Sequence, residues 1–528
     1  MRKLICILIV LSLLLGMTGA IADEKIKLTI AIPDKVNVED YNTNLMTLQL
    51  EEELGYDLEF VVYPATDYKA KINLMIQGGE TLPDIIFGDY TFTSAVIFDW
   101  ALEGALIPLT EYYDNPELAV NINKSYETKL GDWRPLITLP DGEIYQIPSY
   151  YQSIGNEQGA KLFVDMTVLE DLGLPVPTTT DELADTLRKV IAANPEMIGV
   201  AGYDGINSFW FDYFMNSFVY SDSTNDFMKI DNGKLSFSYT TEEWKDGLKY
   251  IKGLLDEGLI AKESLTQDRT QWITMINSCD IFGLCYIAPS DFTDDRKQVF
   301  ESIDPMIGPK GVQFARYNPT IPTSGMIVTT DCKNPEAAFK LGDLLARLDY
   351  TITNRWGQRG QDWDWFEDYT KTLENYDESK WSATIPGCEK LIIVYDDPTF
   401  WGSGNMQNRA WMNVGPAIRD YTVAGGRTIN VDTVDDYTLN MAASYQQYPP
   451  FYPTEYIGSL LYTEAENETI ADILANLKTY VSLTTSNWLL GNGDIDAEWD
   501  AFQKELENIG IAQAMEIAQA AYTRSIAK

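Results

Sequence analysis

The chain has 528 residues, with 79 Asp or Glu, 39 Lys or Arg and no His, for a net charge of −40 at neutral pH. That length accommodates two domains with substantial cores. The acidity argues against nucleic acid or an anionic membrane surface as partner, since both draw on clustered Lys and Arg. The missing histidine removes Ser–His–Asp and Cys–His catalysis and His-ligated zinc or haem, so any chemistry would run on carboxylates, tyrosine, lysine or a carboxylate-bound metal.

The chain opens with Met1-Arg2-Lys3, an apolar run from Leu4 to Met17, and small residues up to Ala22. A basic start, apolar middle and small-residue end predict a secretory signal over 1–22, cut after Ala22. The alternative is an uncleaved anchor, because Leu4 to Ala22 carries no charge. Cys6 stands at the front of the run and no cysteine stands right after its end, so no lipid anchor is expected. Cys279, Cys285, Cys332 and Cys388 are too few to form a disulfide framework and contain no CxxC pair; Cys279 and Cys285 are equally compatible with a disulfide and with free thiols.

Next, Ile26, Leu28, Ile30 and Ile32 alternate as in a strand, Leu45 to Leu54 has helical spacing up to Gly55, and Leu58, Phe60 and Val62 alternate again. Tyr68, Ile72, Met75 and Ile76 mark a helix closed by Gly78-Gly79, and Pro83 to Gly88 reads as a short buried strand. Strand–helix–strand–helix–strand predicts a parallel sheet, whose ligands sit beyond the carboxyl ends of the strands. That topology points at Asp34, after the first strand, and at Asp89 and Tyr90, after the third. Lys161 to Asp165 is strand-like, and Thr179 with Glu182 forms a capping-box pattern before Leu183, Leu187, Val190 and Ile191. Asp231-Asn232-Gly233-Lys234 predicts a tight hairpin. Met326-Ile327-Val328 precedes a helix opening at Pro335 and running through Phe339, Leu341, Leu344, Leu345 and Leu348. Trp499, Phe502, Leu506 and Ile509 share a helical face broken at Gly510, and a last helix runs to about Ser525.

Four stretches carry a resemblance: Leu172-Gly173-Leu174-Pro175-Val176-Pro177-Thr178 with Asp181-Glu182-Leu183; Lys333-Asn334-Pro335-Glu336-Ala337-Ala338-Phe339-Lys340; Trp356-Gly357-Gln358-Arg359-Gly360-Gln361-Asp362-Trp363; and the ending from Glu498-Trp499-Asp500 to Ala521-Tyr522. In order and spacing they resemble the extracellular solute-binding proteins of bacterial ABC sugar importers, particularly the LipO-like subgroup. The resemblance implies a type II periplasmic-binding-protein fold: two α/β lobes, each a mainly parallel sheet flanked by helices, with a ligand cleft between them. It places residues 23–147 plus about 320–395 in lobe 1, and about 148–319 plus 396–528, with the C-terminal helices, in lobe 2. It further implies an exported, non-enzymatic monomer that takes up an oligosaccharide and presents it to ABC permease subunits by lobe closure. No cofactor or metal is implied. Some members carry an Asp/Gly-rich calcium loop where this chain reads Asn194 to Gly199, and an EF-hand reading of Asp494 to Glu498 is blocked by Trp499 in the place of the required glycine.

Sugars are gripped by aromatic faces and by planar polar side chains on a rigid frame. Asp34, Asp89 and Tyr90 are candidates on the topological argument, against turn or loop capping as the plain alternative. The resemblance adds Tyr150 and Tyr151, where the chain crosses between lobes, against hinge packing. It adds Trp210 with Phe211, at a position where maltose-binding-type relatives place a stacking ring, and Tyr286, after a buried strand. Trp356 lies in the glycine motif, which is also compatible with a structural turn, and Trp401 lies in a loop-like Phe-Trp-Gly context. Competing readings are an exported glycoside hydrolase using a carboxylate pair, a surface receptor signalling occupancy through the same lobes, and a peptide ligand. Acidic sugars are disfavoured by net charge, with Arg355 and Arg359 as a local offset.

Overall fold

The structure, a computed structural model, describes residues 25–88, 92–152, 154–384, 391–393, 406–420, 428–458, 460 and 462–526. The expected signal segment, Asp89, Tyr90, Trp401, Cys6 and Cys388 lie outside the described residues.

Ten strands build the two principal sheets. In chain order they are β1 (Ile26–Pro33), β2 (Tyr56–Tyr63), β3 (Ile85–Phe87), β4 (Gln146–Tyr151), β5 (Lys161–Asp165), β6 (Ile198–Ala201), β7 (Ile281–Tyr286), β8 (Phe300–Ile303), β9 (Thr323–Val328) and β10 (Ala417–Arg419). The first sheet has the order β10-β4-β9-β3-β1-β2 and the second β8-β5-β7-β6. β1 pairs parallel to both β2 and β3, as the strand–helix alternation predicts. The crossover helix Leu45–Leu54 begins on an Asn44 cap whose side chain accepts from Met46 N–H, and it ends on Gly55 in the left-handed conformation, φ 70°. The Tyr68 hydroxyl donates to the carbonyls of Ala31 and Phe87 and so pins the ends of β1 and β3 to each other.

Each sheet has its own core. One gathers Leu28, Ile30, Phe60, Phe87, Ile147, Met326, Phe339 and Trp411. The other gathers Leu162, Val164, Leu187, Trp210, Phe211, Trp244 and Phe282, and it extends onto the C-terminal helices through Leu477, Trp488, Trp499 and Phe502. The two-lobe expectation is therefore met. Among the described residues the chain passes between lobes after β4, after β8 and after β10. The third boundary differs from the one expected near residue 395: Ala410, Trp411, Met412, Val414 and Ile418 are buried in the first core, and β10 pairs parallel to β4. This short strand is hard to read from sequence because its neighbour, β4, lies far away in the chain.

Local punctuation behaves as read. Thr179 and Glu182 form a complete capping box on the helix Thr180–Ala193. The hairpin Met228–Asp231 with Lys234–Phe237 turns through Asn232 and Gly233, both at positive φ. The helix opening at Pro335 stops at Leu345, and a second helix, Leu348–Trp356, starts after extended Arg347, so Leu348 belongs to a new element. The sequence reading missed the 26-residue helix Glu464–Leu489. Its buried Ile470, Leu477, Val481 and Trp488 recur at seven- and four-residue intervals, a legible signal among Thr and Ser. Cys279 is exposed and Cys285 and Cys332 are buried; all three are free thiols. Among the described residues no helix is long and apolar enough to cross a membrane.

Candidate functional site

The pairing places the carboxyl ends of β1, β3, β4 and β10 along one edge of the first sheet, together with the start of antiparallel β9. Pro33, Lys35, Gly88, Tyr151, Ser324 and Asn413 line a pocket on this edge. Gly88 is required there, since a Cβ would meet the Ser324 carbonyl oxygen at 2.0 Å. Asp34 lies on the same rim, exposed, with its N–H donating to the Tyr63 carbonyl. A larger cavity of about 320 Å³ opens between the lobes: Phe92, Phe98 and Leu139 come from the first lobe, and Leu460 and Tyr462 come from the segment leading into the C-terminal helices. Its wall includes Gln146 and Ser324, both buried, and among the described residues Gln146 Oε1 and Ser324 Oγ have no hydrogen-bond partner. Buried polar atoms of this kind are costly in a dry core and ordinary in a wet site.

The second lobe contributes the end of β7. The half-buried Tyr286 ring sits among Tyr203, Phe209 and Trp272 at centroid distances of 6.0, 5.8 and 5.4 Å, with the Arg269 guanidinium 5.5 Å over its face. At the junction of the lobes, Tyr317 stacks on Tyr452 at 4.3 Å and meets Tyr456 edge-on at 4.9 Å; Tyr456 remains 46% exposed. Glu157, whose carboxylate accepts from Thr320 N–H at 3.1 Å, is held above the usual carboxylate range by burial. Burial and then this carboxylate push the Tyr317 hydroxyl out of its normal range, so the phenol stays a hydrogen-bond donor at any ordinary pH.

The anticipated residues divide. Tyr151 is half-buried on the first-lobe pocket, and Tyr150 is buried one residue earlier. Tyr286 is half-buried at its strand end. Trp210 and Phe211 are placed differently from the expectation: both are 0% exposed, 5.9 Å apart in the second core, and a Cβ on Gly202 would strike the Trp210 ring at 2.2 Å. Such a ring has no free face for a sugar; its neighbour Phe209 is half-buried, 5.8 Å from the Tyr286 ring and under the Arg316 guanidinium at 5.1 Å. Trp356 is half-buried beneath Arg355, at 4.8 Å. The glycine motif around it is a structural turn. Gly357 has φ 94°, Gln358 N–H donates to the Asp362 carboxylate, and Trp363 Nε1 donates to the Gly357 carbonyl. Arg359 is bound to Asp364 and Asp368. The residues that sequence reasoning missed are Tyr317, Tyr452, Tyr456, Gln146, Ser324 and Arg419. Only the Tyr-rich run from Tyr445 to Tyr456 offered a compositional hint.

The model of the bacterial extracellular solute-binding protein family matches residues 38–352. The chain is 24% identical over 536 residues to the fructooligosaccharide ABC transporter substrate-binding protein FusA of Streptococcus pneumoniae, covering 96% of this chain and 92% of that one. It is 24% identical over 273 residues to the polygalacturonan/rhamnogalacturonan-binding protein YtcQ of Bacillus subtilis, covering 48% of this chain and 52% of that one. Among solved structures, FusA in complex with kestose superposes with a TM-score of 0.71 at 24% identity, covering 96% of this chain and all of that one. An extracellular solute-binding protein of Bifidobacterium longum subsp. infantis superposes with a TM-score of 0.76 at 20% identity, covering 96% and 99%. With the family model spanning more than half its length and the two-lobe fold matched from end to end, this chain belongs to the bacterial extracellular solute-binding protein family.

Proposed function

We propose that this protein captures an oligosaccharide in the cleft between its lobes and, by closing them, hands it unmodified to the membrane subunits of an ABC importer. In this reading it works as an exported monomer on the outer face of the membrane. The observation that supports the reading is a cavity lined from both lobes, with the buried polar Gln146 and Ser324 on one side and Tyr462 on the other, sharing Ser324 with the pocket of Tyr151; in this reading Tyr286, Tyr317 and Tyr456 add further ring faces. Pyranose and furanose rings offer apolar faces to such rings and hydroxyls to such polar groups. The names of FusA and YtcQ point to the same ligand class.

The test is titration calorimetry of the purified protein against fructo-, galacto- and xylo-oligosaccharides, with chromatography of the ligand afterwards. Binding with the ligand recovered intact supports the reading. Shortened products that vanish when a cleft carboxylate is replaced would establish the hydrolase reading instead.

A further inference from the structure

Gln146 opens β4, and Ser324 is the second residue of its antiparallel neighbour β9; Ser324 stands opposite Pro148 and Ile327 opposite Gln146. The register shifts between Ser324 and Met326, where a Cβ on Gly325 would meet the Ile147 carbonyl at 2.7 Å. Such a bulge re-aims a side chain, and Ser324 and Gln146 both line the cavity between the lobes. They are 3% and 2% exposed, and among the described residues neither Ser324 Oγ nor Gln146 Oε1 has a hydrogen-bond partner. A hydroxyl rotates and ordinarily finds a carbonyl, as buried Thr329 just past β9 finds that of Pro83 at 2.7 Å. Unpartnered polar atoms occur elsewhere, in the indole N–H groups of Trp210, Trp244 and Trp272, but each of those rings is sealed in a core at 0% exposure. Gln146 and Ser324 instead bring two unmet groups, an acceptor and a hydroxyl able to donate, to one cavity wall.

The rest of the wall is mostly apolar. Phe92 and Leu139 are buried, Phe98 is half-buried, and Leu136 and Ile321 stay 38% and 41% exposed in the same lining. Leu460 joins them from the segment leading into the C-terminal helices. The helix Ser94–Leu102 also begins here: Thr93 Oγ accepts from Val96 N–H, and the N–H groups of Ser94 and Ala95 have no acceptor inside the helix. Among the described residues no charged side chain lines the cavity. An unsubstituted sugar residue suits this wall poorly, since hydroxyls set against phenylalanine and leucine lose water without gaining partners. A carboxylate brings acceptors alone and would leave Gln146 Oε1 unmet. A deoxy-sugar methyl group suits the leucines and leaves both polar atoms unmet. An acetamido group answers all three features: its N–H suits Gln146 Oε1, its carbonyl suits the Ser324 hydroxyl, and its methyl suits the apolar wall.

We propose that this cavity receives the acetamido group of an N-acetylated aminosugar residue, with Gln146 accepting its N–H, Ser324 donating to its carbonyl, and Phe92, Phe98 and Leu139 covering its methyl. The proposal rests on the cleft being a saccharide site and specifies the substituent that the saccharide carries. At about 320 Å³ the cavity is at the small end of ligand sites, which run from about 300 to 1,000 Å³, and it suits one sugar residue with its substituent. Thr323 and Ser324 line both this cavity and the pocket of Tyr151, so the remainder of the saccharide extends toward that ring.

The experiment uses the purified full chain and trisaccharides of gluco, galacto and manno configuration, each ending in a 2-acetamido residue and each paired with the counterpart that has a hydroxyl there. Calorimetry is expected to show an acetamido trimer bound at least about tenfold tighter than its hydroxyl partner. Ser324→Ala and Gln146→Met, which keep the side-chain volume and remove one polar contact each, should each lower that preference by at least about threefold. The preference is a ratio measured within one variant, so a general loss of stability cancels from it. Hydroxyl trimers bound as tightly as acetamido ones, or a preference indifferent to both substitutions, overturn the proposal and leave the sugar-binding reading standing. Failure of this panel and of the fructo-, galacto- and xylo-oligosaccharides to bind overturns both.

Discussion

Lys161 opens β5 with 0% exposure, and among the described residues its ammonium touches only Ser444 Oγ at 3.0 Å, Gln158 Oε1 at 3.4 Å and the faces of Phe163, Tyr445 and Tyr448 at 5.0–5.9 Å. Burial draws its pKa from the usual 10.5 down to about 7. Between those values the unfolded chain binds a proton that the folded chain does not, so stability rises with pH across that window and is lowest at and below neutrality. The full difference is 3.5 pH units, or about 5 kcal/mol at 1.36 kcal/mol per unit. Lys161→Met keeps the volume and removes the charge. It leaves Gln158 Oε1 without its donor, a loss of about 1–3 kcal/mol, while Ser444 Oγ still donates to the Met441 carbonyl. The variant is therefore expected to be more stable than the parent by about 2 kcal/mol at pH 7 and less stable by about 1–3 kcal/mol at pH 10.5. Urea denaturation of both proteins at five pH values between 6 and 10.5, followed by tryptophan fluorescence, measures the difference. A penalty for Met that is the same at every pH would refute the reasoning, because it would mean that the lysine stays charged and well compensated in the fold.

Three further outcomes follow from the geometry. Arg316→Met strands Asp212 and Asp222 in the second core; Asp212, already raised to about 6 by burial against the pull of Arg316, will rise further. The loss is expected to be about 3–5 kcal/mol at pH 7 by denaturation and smaller at pH 5, where the carboxyls take up protons. Trp210→Leu should lower stability by about 2–4 kcal/mol, with ligand affinity changed no more than in any equally destabilised core variant, since the ring is 0% exposed; a selective loss of affinity at unchanged stability would return Trp210 to the site. Gly88→Ala should weaken ligand binding and reduce the melting temperature together, because its Cβ is driven to 2.0 Å from the Ser324 carbonyl; an unchanged melting curve would contradict the close approach of β3 and β9.

The local rules of the chain were legible without coordinates. Apolar alternation at Ile26 to Ile32 and Leu58 to Val62, the Thr179–Glu182 cap and the Asn232-Gly233 turn each depend on neighbours within a few residues, so each could be read from spacing. The missing histidine and the acid excess excluded whole classes of chemistry before any fold was known. What tertiary structure decided was which of many chemically similar side chains meet. Trp210 and Tyr456 are both plausible stacking rings by composition; one lies sealed in a core and the other stands 46% exposed at the lobe junction, a difference set by contacts hundreds of residues apart. Arg419 carries no mark in Ile418-Arg419-Asp420, and only the pairing of β10 with β4 places its charge beneath Tyr151. Periodicity records which face of an element is buried, whereas a binding cleft is made where separate elements end together, and that coincidence has no short-range signature.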